Sequence, residues 1–254
     1  MLTCNLIGGL GNKMFQIATT YSLSLENSDD CVFEITQESN AHQPVTSYLE
    51  NIFRQVKFGP TSCNKTYQEP FFHYSEIPYT TNLRLSGYFQ SEKYFIKHRK
   101  EITNLFSIDE KNLDYINKKY GKILNNKTCS LHIRRGDYLS LPNHHPVCNI
   151  EYYKKSISYF DDETIFLIFS NDIEWCKKNF IGNQFIFIEG EKDYIDLWLM
   201  SLCKNNIIAN SSFSWWGAWL NTNSDKKVIT PKNWFGPAIN HSTQDLIPEK
   251  WFMI

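Results

Sequence analysis

Five short runs rich in β-branched and aromatic residues, Cys129–Ile133, Ile165–Phe169, Phe185–Ile188, Asn206–Ala209 and Lys227–Thr230, constrain this chain more than any other feature. Amphipathic stretches lie between them, at Ile150–Phe160, Ile173–Phe180, Tyr194–Lys204 and Ser212–Leu220. Within one of these, Ile195, Trp198, Leu199 and Leu202 recur at steps of three and four, which gives a helix one buried face. Strand alternating with helix at this spacing implies βαβ units and a parallel sheet. The second half is therefore expected to be a Rossmann-like layer.

The first half opens in the same style. Leu2–Ile7 is expected as a strand, Gly8–Gly11 as a turn, and Asn12–Glu26 as a helix with Met14, Ile17, Ala18 and Tyr21 on one side. Cys31–Ile35 is expected as a second strand. From Ala41 to about Glu92 the periodicity gives way to Pro, aromatic and polar residues, which suits an acceptor-binding region or an irregular insertion equally. Glu110–Asn126 is a polar helix and linker, so the expected boundary lies near Asn125. The expectation is α/β, with lobes 1–125 and 126–254 and a ligand cleft between them, beyond the carboxyl ends of the strands.

Composition removes several function classes. With 26 Lys+Arg against 27 Asp+Glu there is no basic field to hold a nucleic acid. The seven cysteines are dispersed and form no C-x-x-C pair, which points to free thiols in a reducing compartment and away from a disulfide framework or zinc knuckle. MLTCNLIGGLGNKMF lacks the charged start and apolar run of a signal peptide. Apolar runs such as Ile165–Phe169 fall far short of the ~18 residues of a spanning helix. A soluble, cytoplasmic protein is expected, with room for peripheral contact at the inner face of a membrane. The 15% aromatic content fits a well-filled core or a ring-lined groove.

Chemistry gathers where the strands end. Cys129–Ile133 runs into Arg134-Arg135-Gly136-Asp137-Tyr138. Paired guanidinium forks suit a diphosphate, with Gly136 permitting a tight turn and Asp137 orienting an arginine; a surface salt-bridge cluster is the alternative. Asn206–Ala209 leads into Asn210-Ser211-Ser212-Phe213-Ser214-Trp215-Trp216, which reads as an N-cap and, through the free N–H groups of a helix start, as an anion site. Trp215, Trp216 and Trp219 suit core packing better than a sugar platform, although Trp215 fits either. Ser170-Asn171-Asp172 again precedes a helix, where Asp172 caps it or a neighbour reaches a ribose. Gly9-Leu10-Gly11 half-matches the dinucleotide fingerprint, with Glu34 where a ribose-binding acid would stand, but Met14 replaces the third glycine. A glycine turn that brings Asn12 close to a ligand explains the same residues. Adjacent His144 and His145 are not spaced as helical metal ligands, and D-x-D, G-x-S-x-G and P-loop patterns are absent.

GGLGNKMFQIA at the N-terminus, HIRRGDY at 132–138 and NSSFSWWGAWLN at 210–221 together resemble the bacterial α-1,2-fucosyltransferase family. LSGYFQSEKYF at 85–95 and FSNDIEWC at 169–176 are similar to further blocks of that family, in the same order. Departures are Lys13, where Gln is usual, and Asn171, where FSDD is usual. The resemblance implies a GT-B-like architecture of two Rossmann-like lobes, with GDP-fucose held mainly by the C-terminal one. It implies inverting, metal-independent transfer of L-fucose to a galactose-containing oligosaccharide or lipid-linked glycan, with no cofactor beyond the donor. By the same carry-over Arg134 binds the β-phosphate and Arg135 supports it. His132, Asp137 and Asp172 belong to the donor site, Ser211, Ser212 and Phe213 contact phosphate at the helix start, and Gly11 and Asn12 reach the phosphate–fucose linkage. No general base is readable: Glu92 and Asp137 are candidates, and so is a reaction that uses no side chain as base. Two other classes stand beside this reading: an NAD-dependent oxidoreductase built on the glycine turn, and a non-catalytic sugar-binding module.

Overall fold

The computed structural model describes residues 1–35 and 43–254, which leaves Ala41, the expected start of the irregular stretch, outside the described residues. The chain forms two compact units, 1–108 with 241–248, and 109–240 with 249–254.

In the first unit β1 (Leu2–Cys4) leads through the glycine turn into α1 (Leu10–Glu26). Met14, Ile17 and Ala18 of α1 are fully buried as expected, but Tyr21 is only partly so, and Lys13, Phe15, Gln16, Thr19 and Thr20 are buried as well, so the helix is covered on more than one side. The helix starts at Leu10, ahead of the expected Asn12, because the N–H groups of Asn12 and Lys13 already bond the Gly9 carbonyl. β2 (Lys65–Gln68) and β3 (Leu83–Ser86) complete a parallel sheet in the order β1-β3-β2, and α2 (Arg99–Leu105) follows. Cys31–Ile35 is not the continuous strand expected. Val32 bonds to Leu2 of β1, and the next residue, Phe33, bonds to Lys57, so the segment changes partner before a ladder can extend.

The second unit opens with α3 (Glu110–Leu124), capped by Asp109, whose carboxylate accepts from the Asn112 N–H at 3.0 Å. Then come β4 (Thr128–Ile133), α4 (Ile150–Ile157), β5 (Ile165–Ser170), α5 (Ile173–Asn179) and β6 (Phe185–Phe187). α6 (Asp193–Leu202), β7 (Asn205–Ile207), α7 (Ser212–Leu220), β8 (Val228–Thr230) and β9 (Phe252–Met253) complete it. The six strands are parallel, in the order β6-β5-β4-β7-β8-β9. Every residue of β4 is buried, as a central parallel strand covered on both faces requires.

Two features fix the centre of this layer. Asn206 of β7 donates to Ser130 Oγ at 2.7 Å and to the Met200 carbonyl at 2.8 Å, and its own oxygen accepts from Asn221, so one buried amide is satisfied by three elements. Trp215, Trp216 and Trp219 of α7 are at most 1% exposed and pack with one another, and Trp215 also meets Trp251. They are core residues; the sugar-platform alternative for Trp215 is set aside.

Candidate active site

The strand order of the second unit reverses between β4 and β7. The chain moves outward from β4 to β5 and β6 on one side, and from β7 to β8 and β9 on the other. Open α/β sheets bind ligands beyond the carboxyl ends of the strands at such a switch point. The loop leaving β4 carries Arg134-Arg135, and the loop leaving β7 carries Asn210 and Ser211 into the first turn of α7, Ser212-Phe213.

Along the first loop each arginine has a distinct setting. Arg135 Nε donates to Asp172 at 2.9 Å, its guanidinium lies 4.1 Å from the centre of the Trp175 ring, and its backbone N–H donates to Asn171 at 2.9 Å. Asp172 also caps α5 by accepting from the Trp175 N–H, so the capping reading holds and the same carboxylate steadies Arg135. Gly136, at φ +21, passes so close to Asn171 that a Cβ there would lie 2.2 Å from its amide nitrogen. Arg134 is aligned by Asp137, with Nη2 2.8 Å from one carboxylate oxygen, and sits over the Tyr138 ring. Its side chain is 31% exposed, yet its Nε is buried without a hydrogen-bond partner among the described residues. A cation held this way retains donors for an incoming anion. Both arginines thus stand in ion pairs, Arg135 with Asp172 and Arg134 with Asp137, as the salt-bridge alternative has it, and Arg134 keeps a buried Nε that makes no hydrogen bond among the described residues.

His132, one residue before the arginines, is 5% exposed and packs against Phe213 at 5.6 Å. Burial, and then the charge of Arg134, pull its pKa down to about 3, so the ring is neutral near pH 7. Its Nδ1 also has no partner among the described residues. In the second loop Asn210 turns inward to donate to the Pro146 and Trp234 carbonyls. Ser211 takes the N-cap backbone conformation of α7, but its hydroxyl makes no capping bond. Capping by that side chain is thus not what the serine does. Tyr138 ties the two loops, its hydroxyl donating to the Asn210 carbonyl at 3.1 Å.

In the first unit the glycine turn is braced from within. Gly8 has φ +77, and a Cβ there would fall 2.4 Å from the Asn12 amide nitrogen. Gln90 donates to Asn12 Oδ1 at 2.9 Å. Gln16 accepts from the Ile7 N–H and donates to the Gly87 carbonyl, both at 3.0 Å. Lys13 is fully buried and donates to the Gly8 carbonyl at 2.6 Å and to that of Gln43 at 3.2 Å. Gly11 is buried in the first turn of α1. Glu34 is engaged by Arg84 at 2.9 Å and by Thr61, and Met14 lies in the core, so neither serves a dinucleotide fingerprint.

Two carboxylates of unusual character carry no signal in the sequence. Asp196 on α6 has a buried oxygen with no partner among the described residues, and burial raises its pKa to about 7. Glu69, just beyond β2, has its pKa raised to about 7 by burial as well. Neither belongs to a motif; only a buried acid on a half-apolar stretch could have drawn attention to them.

The family model of glycosyl transferase family 11 matches residues 1–254, the whole chain. The chain belongs to this family. Among its relatives, an Escherichia coli O-antigen biosynthesis glycosyltransferase, WbnK, is 36% identical over 287 residues, covering 92% of this chain and 95% of that one. An α-1,2-colitosyltransferase of Escherichia coli is 33% identical over 289 residues, covering 100% and 99%. Of solved structures, the α-1,6-fucosyltransferase NodZ co-crystallised with GDP shares the fold at a TM-score of 0.56 and 10% identity, covering 85% of this chain and 91% of NodZ. The fold is thus of the α/β, GT-B-like class expected from the sequence. Among the described residues, no helix is long and apolar enough to cross a membrane.

Proposed function

We propose that this family 11 glycosyltransferase moves L-fucose from GDP-fucose to a hydroxyl of an acceptor sugar, the 2-hydroxyl of a terminal galactose, with inversion and without a metal ion. The observation that carries the reading is Arg134, aligned by Asp137 at the switch point of the sheet, with a buried Nε that has no hydrogen-bond partner among the described residues. Glycosyl transfer through an oxocarbenium-like transition state releases a diphosphate of growing negative charge. Donors fixed where that charge develops are often the largest catalytic contribution. Arg134 supplies such a donor to the β-phosphate, and Arg135, locked between Asp172 and Trp175, reinforces the positive field. Ser211, Ser212 and Phe213 offer the start of α7 to phosphate. Neutral His132 presents a polar ring edge to the nucleoside. Gly11 and Asn12 address the phosphate–fucose linkage.

The relatives support a transferase of surface polysaccharide assembly, and one of them favours a second donor. Colitose is fucose without its 3-hydroxyl, so a donor pocket that makes no contact there accepts both sugars. The deciding experiment incubates the pure protein with GDP-fucose and lactose, with and without EDTA. A trisaccharide formed equally in EDTA and cleaved only by an α-1,2-specific fucosidase is the expected outcome. Tight GDP binding without product from GDP-fucose, but with product from GDP-colitose, would transfer the assignment to the second donor. Folded protein that binds no GDP would end it.

A further inference from the structure

One carboxylate at the carboxyl edge of the first unit's sheet has no part in the reading above. Glu69 follows directly on β2, with Oε2 accepting from the Tyr88 N–H at 2.7 Å and Oε1 from the Phe89 N–H at 3.0 Å. An ionised carboxylate has about four acceptor positions, so two fixed donors orient the group and leave each oxygen able to take another hydrogen bond. The backbone opposite is shaped around it. A Cβ on Gly87 would lie 2.4 Å from the Glu69 Cβ and 2.5 Å from Oε2, and Phe89 adopts φ +53, a conformation that costs a non-glycine residue energy.

The segment that clamps Glu69 also holds the glycine turn. Gln16 of α1 bonds the Gly87 carbonyl, and Gln90 bonds Asn12, so two side-chain contacts tie residues 87–90 to the helix that carries Asn12. β1, β2 and β3 are parallel, and their carboxyl ends therefore share one edge. That edge is where α/β sheets place ligands. Burial holds Glu69 at a pKa of about 7 against the lowering effect of its two N–H donors. The titratable groups facing it are Tyr67 on its own strand, Tyr94 from the turn Glu92–Tyr94, and Cys4 of β1. Burial raises the pKa of all three, so none is charged near neutrality and Glu69 titrates alone in this cluster. Of the two bases considered from sequence, Asp137 is already occupied by Arg134.

We propose that Glu69 is the general base of the transfer, an assignment that rests on the donor reading above. As the acceptor oxygen bonds to the anomeric carbon, its proton passes to the Glu69 carboxylate. The bond from that carbon to the diphosphate oxygen breaks, and its electron pair leaves with GDP. A base positioned for this contributes ~10²–10⁴ in rate and works best with a pKa near the operating pH.

The test compares two nucleophiles on GDP-fucose, lactose, which needs deprotonation, and azide, which does not, in wild type, Glu69→Gln and Glu69→Ala. Expected are a wild-type kcat/KM for lactose that rises with pH through about 7, and a loss of ~10²-fold or more in both variants with the pH limb gone. GDP affinity stays within threefold of wild type, and azide is fucosylated at near wild-type rate. Equal loss toward azide and lactose would reduce Glu69 to a clamp on the backbone and overturn the proposal. So would a variant within tenfold of wild type on lactose, or a wild-type profile flat between about pH 5.5 and 8. A wild type that binds no GDP fails at the donor, before any variant is made, and takes both readings with it.

Discussion

Arg134 leaves β4 with Nη2 committed to Asp137 and with an Nε that has no hydrogen-bond partner among the described residues. Removing it should therefore harm turnover far more than folding. For Arg134→Ala we expect kcat to fall by ~10²–10³, the range seen when one oxyanion-hole donor is lost, with the circular dichroism spectrum unchanged. Arg134→Lys should recover little of that rate, because an ammonium cannot reproduce a planar fork. A turnover within tenfold of wild type for Arg134→Ala would sink the assignment. One residue earlier, His132 makes a different prediction. Its pKa in the folded protein is depressed from 6.5 to about 3, so the unfolded chain takes up the proton first as pH falls. This contribution is complete above about pH 6.5 and is lost progressively toward pH 3, amounting to about 2 kcal/mol by pH 5. Urea titrations at pH 7 and pH 5 should show that drop in wild type and a smaller one in His132→Asn.

Among the elements, the contact of α6 with α7 leaves no room for a further methyl group. Gly217 faces Met200 so closely that an added Cβ would lie 2.8 Å from the Met200 Cβ. Gly217→Ala should cost ~1–3 kcal/mol through overpacking, read as a lower urea midpoint at unchanged m-value. The sequence of this half is also the more legible. Its strands and helices from 128 to 230 follow each other with the hydrophobic period that each needs, and α7 spans Ser212–Leu220 as expected. The arginine pair is legible for the same reason, since a buried run that stops abruptly at two charges marks a strand end. β2 and β3 are not. Lys65–Gln68 is a polar edge strand with three of its four residues exposed, and its hydrogen bonds come from a parallel partner more than a dozen residues away. No local pattern encodes such pairing. Glu69 is hidden along with its strand, because its character comes from the burial and the two backbone donors that the fold supplies.

At the scale of the whole molecule, the residues proposed to hold the donor at the switch point belong to the second unit and the glycine turn to the first. Ligand linkage should follow that division. GDP at a hundredfold excess over its Kd stabilises the structure that binds it by about 2.7 kcal/mol. We expect it to slow proteolysis within 109–240 more than within 1–108, as mapped by mass spectrometry of the fragments. Uniform protection of the chain, or none, would contradict the proposed assignment of the donor site to the second unit. The division has a further consequence, set by the path of the chain. Residues 241–248 return to the first unit, where Asp245 pairs with Lys93 at 2.5 Å and accepts from the Tyr74 N–H, and His241 stacks on Phe72. Only then does the chain go back to add β9 to the edge of the other sheet. Chains emerge from the ribosome N-terminus first, at ~5–20 residues per second, and domains generally fold in that order. Here the part synthesised first cannot acquire residues 241–248 until residues 109–240 of the second unit have been made. A chain cut before residue 241 therefore leaves both units incomplete, whereas a cut between two units that follow one another in sequence would still deliver the first one whole.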